Sequence, residues 1–310
     1  MIKNLTLKKQ DPILFLIENY YENNHFSEET SSHWMKFGKF SKIKKINGDY
    51  VLRGYGFGNN EKNKNIFIKI IYFFTNIPLK IYLLKCLKNC RQNIINNMHF
   101  VIKKTSRLFD FDCGRNILTV NLLMEKIPVM ESKTFCIIGD GFGNLGCLLK
   151  KTFPKSKIIY INLGRTLLFD LYYSKKVFPN MDHSLIRTNN EPHSKDFNYV
   201  EAEMHKKIDI KSNIFVNMHS MQEMRYEDIN SYFLMMRKQK KDTWFYCCNR
   251  ISKKLPDGEI INFFEYPWFA DDKVIIDGLC PWAQGFPRNI PPFFQKFDGP
   301  IHHRLIKFAQ

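Results

Sequence analysis

Hydrophobic and polar positions change their spacing partway along the chain. Up to about residue 110, apolar patches recur at helical spacing between polar, glycine-bearing loops. Asp11-Pro12 ahead of Ile13, Leu14, Phe15 and Ile17 predicts a capped helix start. Leu83, Leu84, Leu87, Ile94, Ile95 and Val101 predict one long amphipathic helix over Leu79–Leu108. From Thr134 the pattern shortens. Apolar runs at Thr134–Ile138, Lys157–Ile161, Asn213–Met218 and Thr243–Cys248 predict strands, with helices over Leu145–Lys151, Arg165–Lys176 and Tyr226–Arg237 between them. Such alternation predicts an α/β fold with a mostly parallel, doubly wound, Rossmann-like sheet. Tyr266–Phe294, rich in proline and aromatic residues, predicts irregular loops before a last strand at Arg304–Phe308. The division implied is a mostly helical accessory or lid region over residues 1–110 and a ligand-binding α/β domain over residues 111–310.

The first predicted strand runs into Gly139-Asp140-Gly141-Phe142-Gly143, and the amphipathic residues Leu145, Leu148 and Leu149 follow at once. A strand–glycine–helix sequence aims backbone N–H groups at a ligand, and glycine lets the main chain approach it with no Cβ in the way. Two ligand classes fit: a dinucleotide, because Gly141-Phe-Gly143-Asn-Leu-Gly146 has the G-x-G-x-x-G spacing, and S-adenosylmethionine. Glycines that begin directly at the strand end favour the second. A similar Gly54-Tyr-Gly56-Phe-Gly58 leads into Asn59-Asn60-Glu61-Lys62, which is loop chemistry. Asn162 stands at the end of the second strand, where a carboxylate would grip ribose hydroxyls. Its amide exchanges hydrogen bonds with a diol without the charge-assisted strength of an acid.

Composition narrows the classes. With 44% hydrophobic and 15% aromatic residues among 310, the chain is globular rather than disordered. The formal charge of +17 invites polyanions, but the lysines are scattered and only Lys42–Lys45 and Arg237–Lys241 cluster. A phosphate-bearing acceptor or an anionic membrane surface is the expected partner, ahead of nucleic acid. None of the eight cysteines has structural-zinc spacing, and the expected compartment is a reducing cytoplasm with no leader sequence. Ile66–Leu87 is too interrupted by lysine, asparagine and proline to span a bilayer.

Several segments together resemble a known family. Phe135-Cys-Ile-Ile-Gly-Asp-Gly-Phe-Gly-Asn-Leu-Gly146, Ile161-Asn-Leu-Gly-Arg-Thr-Leu167, Val216-Asn-Met-His-Ser-Met-Gln-Glu-Met224, Tyr246-Cys-Cys-Asn-Arg250 and Glu265-Tyr-Pro-Trp268 resemble, in order and spacing, the sugar O-methyltransferases of the NanM type. The resemblance covers roughly residues 100–285 and implies a class I S-adenosylmethionine fold with a sugar hydroxyl as acceptor. The cofactor is expected over Gly139, Asp140, Gly141, Phe142 and Gly143, with Asn162, Ser220 and Met221 beside it.

Methyl transfer to a hydroxyl is an in-line displacement that needs alignment and a proton acceptor, and no metal. His219, just past a predicted strand, and Glu223, one turn on, are the candidate bases. Asn249 and Arg250 are candidates for acceptor hydroxyls or a phosphate, and Glu265 is a further candidate acid. The rings of Tyr266, Trp268 and Trp282 could serve as sugar platforms. A nicotinamide-dependent oxidoreductase using the same loop, or a binding protein that has lost its cofactor, are the rival readings.

Overall fold

A computed structural model of the chain describes residues 11–22, 30–37, 42–46, 49–53, 74, 77–107, 109–189, 195–239, 242–287 and 294–309. The Gly54–Gly58 segment lies outside them. Helix α1 (Pro12–Ile17) starts as its sequence requires: proline occupies the first turn and the Asp11 carboxylate accepts the Ile13 N–H at 2.8 Å. A π-helical turn, Glu18–Glu22, continues it. Helix α2 (Ser32–Phe37) and a hairpin of β1 (Lys42–Ile46) and β2 (Asp49–Arg53) follow.

The expected long helix is two, α3 (Ile77–Leu87) and α4 (Gln92–Thr105), and they are followed by α5 (Phe111–Lys126). Leu83 and Ile94 lie about three helical turns apart, so a straight helix would keep both on one face and the periodicity reads as continuous. The polar Lys88–Arg91 stretch turns instead. The Arg91 N–H is taken by Asn121 Oδ1 of α5 at 3.1 Å, and α3 packs on α5 while α4 packs on the helices of the sheet.

The sheet is built from β3 (Thr134–Ile138), β4 (Lys157–Asn162), β5 (His183–Ile186), β6 (Phe197–Glu201), β7 (Ile214–Met218), β8 (Trp244–Arg250), β11 (Lys273–Leu279) and β14 (Ile301–Lys307). Small hairpins pair β9 (Ser252–Lys254) with β10 (Ile260–Asn262) and β12 (Gly285–Pro287) with β13 (Phe294–Lys296). The strand order is β11-β14-β8-β7-β3-β4-β6-β5. β5, β6, β4, β3, β7 and β8 run parallel, whereas β14 is antiparallel to both of its neighbours. Helices α6 (Asn144–Thr152), α7 (Gly164–Val177) and α8 (Tyr226–Arg237) provide crossovers. The fold is therefore a doubly wound, Rossmann-like α/β sheet. The stretch expected to be irregular contains β11, an edge strand whose register shifts between Val274 and Ile276. Its residues are mostly exposed or half-buried, so no clean apolar alternation marks it.

Both faces of the sheet are covered, which is why its central strands are continuously apolar. Phe135 and Ile137 of β3 pack with α1 and α4 to α7, and Cys136 and Ile138 with α8. One apolar core thus joins residues on both sides of position 110: Leu16, Ile94 and Val101 share it with Phe135 and Leu148. Close approach fixes two glycines. A Cβ on Gly146 would lie 2.2 Å from the Tyr160 hydroxyl, and one on Gly164 would lie 2.1 Å from the Tyr20 ring. Among the described residues no helix is long and apolar enough to cross a membrane, and no group of histidine, cysteine and carboxylate side chains could hold a metal ion.

Candidate functional site

The chain leaves β3 toward β4 on one side and later returns to lay β7 on the other. Open α/β sheets bind ligands outside the carboxyl ends of strands at such a reversal. A cleft of about 240 Å³ opens there, lined by the ends of β3, β4, β6 and β7, by α5, and by Tyr20, Thr30, Ser31 and Trp34 from the amino-terminal region.

Its floor is the glycine loop. Gly139, Gly141 and Gly143 have φ of 78°, 88° and 66°, the left-handed region that favours glycine. A Cβ on Gly139 would lie 2.4 Å from Ser220 Oγ, which itself donates to the Ile138 carbonyl at 2.8 Å. Asp140 turns back over the start of α6, where its carboxylate accepts the N–H groups of Leu145 at 3.2 Å and Gly146 at 2.8 Å. Burial pushes this carboxyl up to about 6 despite those donors. Phe142 is buried against Phe169 and Tyr173, with the Arg107 guanidinium 4.1 Å from its ring.

Asn162 lines the cleft, but its amide is committed elsewhere. Nδ2 donates to Asp170 at 2.8 Å, and Oδ1 accepts the Leu163 N–H at 3.0 Å. Asp170 is fully buried in α7 and also accepts the Gly143 N–H at 2.8 Å. Burial, and then the nearby Asp140, hold its carboxyl well above the ordinary range. Glu201, the last residue of β6 and the neighbour of Asn162 in register, lines the cleft as well and bonds the Tyr20 hydroxyl. Sequence reasoning missed Glu201; the β-rich Phe197-Asn-Tyr-Val-Glu201 run was its only signal.

Of the candidate bases, His219 sits in the cleft at φ 61°, with its N–H donating to the Cys248 carbonyl at 2.8 Å. No described residue hydrogen-bonds its ring; Phe297 lies 6.0 Å away, centroid to centroid. Burial, then the charges of Arg115, Arg250 and Lys253, lower its pKa well below 6.5, so the imidazole is neutral at neutral pH. Glu223 reaches the cleft too. Its carboxylate is held by Lys253 Nζ at 2.8 Å and lies 3.5 Å from His33 of α2, and its carbonyl accepts the Ser31 hydroxyl.

Five other candidates, Gly143, Met221, Asn249, Arg250 and Glu265, are not among the residues that line the cleft. Asn249 is fully buried, donating to Asn217 Oδ1 at 2.7 Å and accepting the Gln222 N–H at 3.1 Å. Asn217 in turn donates to the Ile138 carbonyl at 2.9 Å and accepts the Met221 N–H at 3.2 Å. Gln222 Oε1 takes the Arg250 N–H at 2.7 Å. Asn217, Met221, Gln222 and Asn249 thus form a clamp behind the cleft that fixes the turn carrying His219 and Ser220, and the Met221 side chain is buried beneath it. The Arg250 guanidinium points toward the Asp298 carbonyl and the Phe297 ring. Glu265 accepts from Asn262 on the exposed surface. The expected sugar platforms lie outside the cleft: Tyr266 is buried, and the half-buried Trp268 and Trp282 pack against Phe233 and Phe245 and against His303. The aromatic residues that do line the cleft are Tyr20, Trp34 of α2, Phe142 and Tyr232.

The cleft inverts the charge of the whole molecule. Asp112, Asp140, Glu201, Glu203, Glu223 and Asp228 line it, against Arg115 and Arg165.

The chain matches no protein-family model and no curated protein. Among solved structures it is similar to an O-methyltransferase family 2 protein from Planctomyces limnophilus in complex with apigenin, at 10% identity over 91% of this chain and 80% of that one, TM-score 0.41. It is similar to human N-acetylserotonin methyltransferase in complex with SAM at 9% identity, over 88% and 80% of the two chains, TM-score 0.36. A Thermoplasma acidophilum protein is similar at 9% identity over 69% and 97%, TM-score 0.43. Similarity at this level assigns this chain neither an activity nor a substrate; its fold is read from the strand order and its site from the residues described above.

Proposed function

We propose that the chain is a methyltransferase that takes S-adenosylmethionine over Gly139–Gly143 and methylates a hydroxyl of a sugar-like small molecule. The observation that carries this reading is the position of Asp140. In a dinucleotide site the N–H groups at the helix start receive the pyrophosphate. Here the Asp140 carboxylate has taken the Leu145 and Gly146 N–H groups, and a second anion there would be repelled. A cleft with six carboxylates and two arginines suits a net cationic sulfonium cofactor and opposes a dinucleotide.

Bound S-adenosylmethionine supplies an electrophilic methyl group. The chain must present an acceptor oxygen in line with it and take up the hydroxyl proton. His219 is the better placed base, because its ring is neutral and faces the cleft, whereas the Glu223 carboxylate is tied to Lys253. Glu201 offers oxygen acceptors to a nucleoside at the end of β6. The sugar class rests on the sequence resemblance, and Trp34 gives it a ring face.

Thermal unfolding with each ligand in turn tests the reading. S-adenosylmethionine or S-adenosylhomocysteine is expected to raise the melting temperature, as about 2.7 kcal/mol of stabilisation at a hundred times Kd requires, while NAD and NADP leave it unchanged. Stabilisation by a dinucleotide alone would overturn the assignment.

A further inference from the structure

The lysines are scattered along the chain, but the acids that offset them are missing from one stretch. Between Glu61 and Asp110 there are ten lysines and arginines and no aspartate or glutamate. Helix α3 lies in that stretch, and its two sides differ. The inner side is Leu83, packed with Phe111 of α5, and Tyr82, whose hydroxyl donates to the Trp282 carbonyl at 3.2 Å. The outer side carries Ile77, Ile81 and Leu84, which are 38%, 62% and 74% exposed and recur at helical spacing. Phe74, just ahead of the helix, is 63% exposed, and Lys85 and Lys88 are exposed at its other end.

We infer that this face of α3 seats the chain on an anionic lipid bilayer. The three aliphatic side chains would enter the boundary between headgroups and acyl chains, and Lys85 and Lys88 beside them, in a stretch of sequence without acids, would be drawn to the anionic headgroups. Both properties are needed to choose the partner. A nucleic acid would satisfy the lysines and leave Ile81 and Leu84 in water. A second copy of this chain packed face to face would bring Lys85 and Lys88 toward the same two lysines, which like-charge repulsion opposes. The seat is independent of the methyltransferase reading, although α3 packs on α5, the helix that gives Asp112, Arg115 and Asn116 to the cleft.

Co-sedimentation of the full chain with vesicles of phosphatidylcholine alone, and of phosphatidylcholine mixed with phosphatidylglycerol, tests the inference. The chain is expected to sediment with the mixed vesicles only, and to be released by salt. Ile81→Asp with Leu84→Asp, both at exposed positions, should weaken that partition roughly tenfold or more. Lys85→Gln with Lys88→Gln should weaken it by a similar factor with the apolar face intact, and serves if the aspartate pair does not fold. A parent chain that ignores both vesicles overturns the inference, as does an aspartate variant that sediments like the parent. So does a dimer, seen by size exclusion, that the aspartates dissolve, since the face would then join two copies. Equal retention of parent and aspartate variant on polyuridylate, with no vesicle binding, would assign the charge to nucleic acid instead.

Discussion

A carboxylate buried without a cation must be satisfied by neutral donors, and Asp170 has two, the Gly143 N–H and Asn162 Nδ2. That pair dictates what position 162 can be. Asn162→Asp would set two acids face to face in the interior and is expected to lower stability on the order of 2–3 kcal/mol, measured by urea unfolding. Exchanging the pair, with Asn162→Asp and Asp170→Asn together, should recover most of that loss; a double variant no better than the single one would refute the coupling. The absence of an acid at the end of β4 was legible in the sequence. Its reason was not, because Asp170 reads as an ordinary polar position in a helix. At His219 the expected chemistry is a base whose neutral form already prevails at neutral pH. His219→Asn should lower turnover by ~10²–10⁴ with cofactor affinity unchanged, and parental kcat should stay flat above about pH 6.5 and fall only at lower pH. A parental turnover in the variant would move the base elsewhere. Asp140 gives a stability signature. Its folded pKa, pushed up to about 6, exceeds the unfolded value of about 4, so the folded chain holds more protons between them. Stability should therefore fall as pH rises from about 4 to about 6, then level off, and Asp140→Asn should flatten that slope.

Elements were legible where both faces of a strand are covered. β3, β4, β7 and β8 are runs of apolar residues at the centre of the sheet, and the helices between them bring Leu145, Leu148 and Leu149 of α6, Leu167, Leu168 and Leu171 of α7, and Ile229, Phe233 and Met236 of α8 into the core at spacings of three and four residues. β5 and β11 lie at the two edges, where partial exposure dilutes the pattern, and β6, though buried, mixes Asn198 and Glu201 into its apolar run. The site followed the same division. The glycine loop declared itself, whereas Arg115, Trp34 and Glu201 enter the cleft from elements whose approach depends on tertiary packing. Among the contacts that dock the amino-terminal elements on the sheet domain, Tyr20 makes the close approach to a glycine, Gly164. Gly164→Ala would force a Cβ into that ring, so residues 12–22 should exchange their amide hydrogens faster while β3 and β4 stay protected. Uniform exchange behaviour in parent and variant would show that the contact yields without undocking α1.

On the scale of the molecule, a chain of formal net charge +17 carries a cleft whose lining is mainly acidic. Low salt should therefore strengthen capture of cationic ligands at the cleft while leaving the core untouched, and a steeper ionic-strength dependence of affinity for S-adenosylmethionine than for the uncharged thioether S-adenosylhomocysteine measures it. The order of the strands bears on how the protein is made. β14, near the end of the sequence, lies between β8 and β11 and is the sole link between them, through the pairs Leu305 with Tyr246 and Asp277 with Arg304. While a ribosome still holds residues 301–307 in its exit tunnel, β8 keeps an open hydrogen-bonding edge and β11 has nothing to pair with. Chains ending at Pro300 should thus remain protease-sensitive across β8 and β11, and chains that extend through Lys307 should be resistant there, making the pairing of β14 the event that commits this side of the sheet.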